Sequence, residues 1–311
     1  MTAGPPLVVL TGPTGAGKSR LAIAVALAWR EAGRAAEIVN ADSMAAYRGM
    51  DIGTAKPSVK DRREVPHHLI DVFDIGEPAS VAVFRDLARD AIADCRARGV
   101  TPVLVGGSAL YIHAITDELD FPGTDAALRA RLTAELAEEG APAMYDRLRR
   151  LDPGVAAGIH PNNSRRVLRA LEAIELTGGF RATFPEPRYA IPHVIQVGLD
   201  IPREVMDERI AARVEAMWEA GLPAEVERLL GQGLREAPTA SRAIGYREAI
   251  AYLDGRMTAR AAREATIIKT RQFSRKQLGW WRRDARIRWM AYDAGPSAVM
   301  ALADYAPGPR M

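Results

Sequence analysis

Leu7-Val-Val-Leu-Thr11 runs directly into Gly12-Pro13-Thr14-Gly15-Ala16-Gly17-Lys18-Ser19. The apolar run reads as a short buried strand. Residues 18–32 then carry Leu21, Val25 and Ala28 at helical spacing. A GxxxxGK[ST] stretch between a strand and a helix is a phosphate-binding loop. Its glycines let backbone N–H groups turn inward, and the helix N-terminus adds partial positive charge. Lys18 brings a point charge to phosphate oxygens. Ser19 brings a hydroxyl able to ligate Mg²⁺. The loop does not specify its phosphate compound: ATP fits, and so does a pyrophosphate ester.

Outward from the loop, residues 37–41, 68–72, 102–105 and 194–199 read as further short apolar strands, and 81–98 as a helix ending at Gly99. Strands alternating with helices give the α/β class with a parallel sheet covered on both faces. From 125 to 178 only helical periodicity remains, broken at Gly140-Ala-Pro142, Asp152-Pro153 and His160-Pro161. A helical stretch between two strands predicts an inserted all-α subdomain. The expected division is a core over 1–119, the insertion over 120–190, core completion with a basic helical region over 191–305, and a flexible tail over 306–311.

Composition narrows the class. The 311 residues are 48% hydrophobic and 26% charged, enough apolar content for a sizeable core. No apolar run approaches the roughly 20 residues of a membrane span. The N-terminus has no basic n-region, so no secretory signal is expected. A single cysteine, Cys95, excludes an intrachain disulfide. These features point to a cytoplasmic enzyme. The net charge is +3, yet Arg256 to Arg288 holds eleven Lys/Arg against Glu264 and Asp284. A basic C-terminal segment on an otherwise acidic chain points to a polyanionic partner.

The chemistry departs from ordinary phosphoryl transfer. Strand 102–105 ends in Gly106-Gly107-Ser108, without the acidic Mg²⁺ ligand that reaction wants. No Arg-rich lid is evident beyond Arg165, Arg166 and Arg169. Displacement of pyrophosphate fits better. Asp42 follows strand 37–41, at the sheet edge where ligands sit. Position alone leaves two readings: a carboxylate that holds Mg²⁺ or takes a proton, or a helix N-cap.

Taken together, these stretches resemble the bacterial tRNA dimethylallyltransferases. The resemblance rests on Gly12–Ser19 and on Asn40-Ala-Asp42-Ser43-Met44-Ala45-Ala-Tyr47 continuing through Asp51-Ile-Gly-Thr-Ala-Lys-Pro57. It extends through Pro66–Val72, Val105–Tyr111, Ile159–Glu172, Ala243–Tyr246 and Lys269–Trp281, in family order over about residues 7–290. It implies a P-loop NTPase-like core with a helical insertion. It also implies transfer of a dimethylallyl group from dimethylallyl diphosphate to N6 of the adenine just 3′ of the anticodon (position 37), with Mg²⁺. The base would be flipped out of the anticodon stem-loop into a channel.

The resemblance assigns Asp42 as the base that accepts the amine proton. Ser108, where the family usually has Thr, would contact the reacting site, and a helix N-cap is compatible with that. Lys18 would stabilise the departing diphosphate. Asp42 to Ala45, Ser108, Arg129 and Arg165-Arg166-Val167-Leu168-Arg169 fall in tRNA-contacting segments, with a solvated helix face as the alternative for Arg129. Two departures stand out. Ala45 replaces a Gln able to read the base, and Asn162-Asn163 replaces Asn-Asp.

In the basic segment, Arg271, Arg275 and Lys276 are expected to meet RNA phosphates. Trp280 and Trp281 are adjacent, so one of the pair should pack inward. The histidines show no metal-ligand clustering, and Cys95 reads as packing. A P-loop kinase, a prenyltransferase of free adenine nucleotides and a non-catalytic RNA-binding protein are the rival readings. The first two leave the basic segment unexplained, and an intact Lys18, Ser19 and Asp42 argues against the third. A monomer is expected. In filter binding, tRNA affinity should fall about 10³-fold between roughly 50 and 200 mM salt, as for about six phosphate contacts; a flat profile would take the segment off the RNA surface.

Overall fold

The structure, a computed structural model, describes residues 4–119, 123–180 and 186–304. Six strands form one parallel sheet: β1 (Leu7–Thr11), β2 (Ala36–Asn40), β3 (His67–His68), β4 (Thr101–Val105), β5 (Val194–Asp200) and β6 (Arg288–Ala291), in the order β3-β2-β4-β1-β5-β6. β1 lies between β4 and β5, with Val8 beside Val103 and Ile195. The helices are α1 (Lys18–Glu31), α2 (Val59–Glu64), α3 (Val81–Ala97), α4 (Ala109–Thr116), α5 (Ala126–Leu151), α6 (Pro153–Ala157), α7 (Ser164–Thr177), α8 (Arg203–Glu219), α9 (Leu222–Leu230), α10 (Tyr246–Leu253), α11 (Ala259–Trp281) and α12 (Pro296–Asp304).

Alternation along β1 feeds two cores. Leu7 and Val9 join one with Leu104, Phe84, Ile112, Tyr246 and Trp281. Val8 and Leu10 join another with Val25, Trp29, Ile210 and Val299. All five β1 residues are buried, as a central parallel strand covered on both faces requires.

Two strands differ from the sequence expectation. The run expected at 68–72 is extended only over His67–His68, because Leu69 and Asp71 take positive φ values of 61° and 56°. β6 has no buried face: three of its four residues are exposed, so its pairing with β5 leaves no periodic trace.

The described chain divides into two compact units, Glu118–Arg188 and the remainder. The smaller unit is all-helical. Its core comprises Leu132, Met144, Leu148, Val155, Ile159, Val167 and Leu171. The expected break at Gly140 is a kink in α5, where glycine takes φ 83° and ψ 164°. Asn163 caps α7, its side-chain oxygen accepting from Arg166 N–H at 3.2 Å. Asparagine caps as well as aspartate, so this departure keeps its structural role. The tail expected over 306–311 lies outside the described residues.

The segment after β2 is tied down by one buried carboxylate. Glu225 on α9 accepts from the N–H groups of Asp51, Ile52 and Gly53 at 3.0, 2.8 and 3.2 Å, and from the Tyr246 hydroxyl at 2.6 Å. Lys56, with its side chain 2% exposed, donates to Tyr47 O, Asp51 and Asp71. A Cβ on Gly53 would lie 2.4 Å from the Tyr246 ring. In denaturant unfolding, Gly53→Ala should therefore lose roughly 1–3 kcal/mol, the usual cost of overpacking; an unchanged midpoint would show that this loop yields to the ring.

Candidate active site

Three adjacent strands of the sheet deliver the site. β1 ends in the Gly12–Ser19 loop, β4 in Gly106-Gly107-Ser108, and β2 in Asn40 just before Asp42. The phosphate loop has the conformation its glycines permit: Gly12, Gly15 and Gly17 take φ values of 138°, 91° and 92°. Gly12 also lies against β5, where a Cβ would come 3.2 Å from Leu199 O. Ala16 N–H donates to Pro13 O, closing the turn. Lys18 Nζ donates to Pro13 O at 2.8 Å, folding the ammonium over the loop.

Lys18 is electrostatically unusual. Burial, reinforced by the nearby Arg213 guanidinium and opposed by Asp42, lowers it from 10.5 to about 8. Arg213, on α8, was not singled out from the sequence. It donates to Thr54 O at 3.1 Å, and its acidity is raised chiefly by burial, against the pull of Asp42. Two cations thus share the mouth of the loop with one carboxylate. No sequence signal marked Arg213, because α8 lies almost 200 positions from the loop and its arginines look alike.

Asp42 is exposed, and no helix follows it. Its Oδ1 accepts from Met44 N–H at 3.0 Å, an Asx turn rather than a helix cap. Its other oxygen takes no hydrogen bond from the described residues, which leaves it for a proton or a ligand. Asn40 holds the Asp42 backbone from both sides, accepting from its N–H at 3.0 Å and donating to its carbonyl at 2.8 Å. Ser108 is the N-cap of α4 by backbone, but its hydroxyl makes no cap bond. The exposed Ser19 hydroxyl and the Asp42 carboxylate are hard oxygen donors, a set suited to Mg²⁺.

Not every expected contact residue presents its side chain. Ala45 and Ser43 are buried. In the smaller unit, Val167 and Leu168 pack into the helical core, so their side chains are withdrawn from any ligand there. Arg165 and Arg166 are exposed on α7. Arg129 and Arg169 both bond the buried carboxylate of Glu172, Arg169 at 2.6 Å, and together they hold Glu172 below the usual carboxylate range against the opposing effect of burial.

On α11, Arg271 donates to Asp207 O at 2.9 Å, and Arg275 lies 3.9 Å from the Asp207 carboxylate. Lys276 is exposed. Of the tryptophan pair, Trp281 is fully buried and Trp280 is 47% exposed.

Cys95 does more than pack. Its thiol lies 3.4 Å from Glu37 and 3.7 Å from His68. These three groups could surround a cation, but the Arg98 guanidinium already bonds both Glu37 oxygens at 2.8 and 2.7 Å. Arg98 draws Glu37 down to about 2, while burial pushes the Cys95 thiol up to about 12. Glu37 stands at the amino end of β2, away from the loops described above.

The IPP transferase family model matches residues 45–284. The chain is 53% identical over 289 residues to the tRNA dimethylallyltransferase of Thermobifida fusca, covering 93% of this chain and 90% of that one. It is 55% identical over 280 residues to the tRNA dimethylallyltransferase of Frankia alni, covering 90% and 94%. Among solved structures, the tRNA isopentenylpyrophosphate transferase of Bacillus halodurans matches with a TM-score of 0.68 at 38% identity, covering 96% and 95%. A eukaryotic dimethylallyltransferase acting on tRNA matches with a TM-score of 0.77 at 26% identity, covering 93% and 74%.

The lowered Lys18 value has two consequences. Its protonated form is disfavoured in the folded state, so this group's penalty is full at low pH and is relieved as pH rises from about 8 towards 10.5. Stability from this residue therefore increases across that window. Affinity for inorganic diphosphate should fall above about pH 8 as the free loop loses the charge. In calorimetric titrations Lys18→Met should be weaker throughout and lack that inflection; an inflection surviving in the variant would assign it to another group.

Proposed function

The chain belongs to the IPP transferase family, and we propose that it transfers a dimethylallyl group from dimethylallyl diphosphate to N6 of the adenine 3′ of the anticodon in tRNA. The observation that carries this reading is the opposition of one accessible carboxylate, Asp42, to two cations, Lys18 and Arg213, at the mouth of a phosphate loop. Phosphoryl transfer is less well served, since no acidic residue follows β4.

The chain's own groups divide the work. Lys18, Arg213 and the loop amides meet the negative charge that grows on the diphosphate as the C–O bond breaks. The N6 amine forms the new C–N bond and gives up its proton to the free oxygen of Asp42. The Ser108 hydroxyl, unspent on capping, is placed to bond the base or the departing oxygen. Members of the family need a divalent cation. Mg²⁺ is the cation proposed here, held through Ser19, and it would further neutralise the leaving group. The exposed cations of α11 and of α7 supply phosphate contacts for the anticodon stem-loop. No described helix is long and apolar enough to cross a membrane, and a cytoplasmic monomer is the form proposed.

The test is mass spectrometry of nucleosides from unmodified tRNA incubated with protein, Mg²⁺ and dimethylallyl diphosphate. One adenosine should gain a dimethylallyl group, and Asp42→Ala should slow that gain by about 10²–10⁴-fold, the usual worth of a general base. No gain with tRNA still bound would refute the donor and direct attention to ATP turnover. Prenylation of free AMP at a comparable rate would refute the RNA substrate.

A further inference from the structure

One face of α11 remains without a role. Ser274, Gln277 and Trp281 follow each other at intervals of three and four, so they share a side of the helix. All three are buried, at 0%, 6% and 0% exposure, whereas Arg275 and Lys276 beside them are exposed. A buried glutamine in the middle of a basic helix needs partners, and its partners are in the phosphate loop. Thr14 N–H donates to Gln277 Oε1 at 2.9 Å, and the Thr14 hydroxyl donates to the same oxygen at 3.2 Å. Ser274 Oγ donates to Thr14 O at 3.2 Å. The amide, the carbonyl and the hydroxyl of Thr14 are therefore all bonded from α11.

The same face reaches the loop after β4. Trp281 Nε1 donates to Gly107 O at 3.2 Å, and a Cβ on Gly107 would lie 2.5 Å from Gln277 Nε2. Only glycine fits there. That Cβ would also stand 3.5 Å from Gly12 O, so the two loops adjoin each other beneath the helix.

We propose that Gln277 is a positioning residue for diphosphate binding: by fixing Thr14 from outside the loop, it holds the remaining loop N–H groups turned towards the ligand. Thr14 N–H is committed to Gln277 and does not serve the ligand. The N–H groups of Gly15 and Gly17 have no partner among the described residues and are among those available to it. Without Gln277, Thr14 N–H and Oγ–H would seek water or each other's neighbours, and the loop would sample conformations that splay those amides. The inference rests on the reading that the loop binds the donor's diphosphate.

The experiment compares wild type with Gln277→Met, which keeps the volume and removes the acceptor, and with Ser274→Ala. Readouts are calorimetric affinity for inorganic diphosphate, steady-state KM for dimethylallyl diphosphate, kcat, tRNA affinity and thermal midpoint. Gln277→Met should weaken diphosphate and raise the donor KM by about tenfold, the worth of one or two hydrogen bonds. Its kcat and tRNA affinity should stay within about threefold. Ser274→Ala should shift the same two quantities in the same direction by less. Unchanged diphosphate affinity in folded Gln277→Met overturns the inference alone. Parallel loss of diphosphate affinity, tRNA affinity and thermal midpoint also overturns it, because that is a packing defect. A wild-type protein that binds no diphosphate overturns both this inference and the reading beneath it.

Discussion

The hydrogen-bonded register of β1 between β4 and β5 is the constraint from which the site follows. Val9 and Leu10 stand level with Leu104 and Val105, so the chain leaves both strands at one edge of the sheet. β2 runs beside β4 with Asn40 level with Val105. Three loops therefore emerge side by side without any side chain having to gather them. A one-residue slip of β1 would exchange its two buried faces and carry the phosphate loop out of line with Ser108. Burial of β1 on both faces makes such a slip costly, which is why a five-residue strand can fix so much.

Within that frame the charges are arranged by depth. Lys18 and Arg213 are packed closely enough that burial works against their charge, while Asp42 stands in water. Cations stripped of solvent bind an entering anion more strongly than hydrated ones. The exposed carboxylate stays open to solvent. Rigidity behind this edge comes from backbone capture: Asn40 on the Asp42 peptide, Glu225 on three successive N–H groups, and α11 on Thr14. The last two captures are made by side chains far away in sequence.

That distance explains what could and could not be read from the sequence. The central strands were legible because β1 and β4 are uninterrupted apolar runs bounded by glycines, and a strand buried on both faces leaves that signature. The phosphate loop was legible because its conformation is local and its glycines have a mechanical reason. β6 was not, since an exposed four-residue edge strand with arginine and tryptophan resembles any loop. Leu69 and Asp71 break an extended run through backbone dihedrals that side-chain pattern does not encode. The sequence places Asp42 at the sheet edge but does not show that it closes an Asx turn in place of a helix cap. Arg213, Glu225 and Gln277 bond backbone groups 159 or more positions away. A single sequence carries no sign of such pairings.

The separation between β1 and β5 also shapes how the chain must assemble. Thr11 and Val197, 186 positions apart, are hydrogen-bonded in the finished sheet, and the helical unit Glu118–Arg188 is synthesised between them. β5 begins 89 residues after β4 ends, so at roughly 5–20 residues per second of translation β1 stays paired with β4 alone, one edge open, for about 4–18 seconds. During that interval the nascent chain carries an unpaired, largely apolar strand edge, the kind that recruits other chains. The antiparallel bridge between Asp117 and Tyr189 returns the chain to the sheet directly after the helical detour. β5 follows within five residues of that bridge, so the open edge is sealed almost as soon as the detour ends.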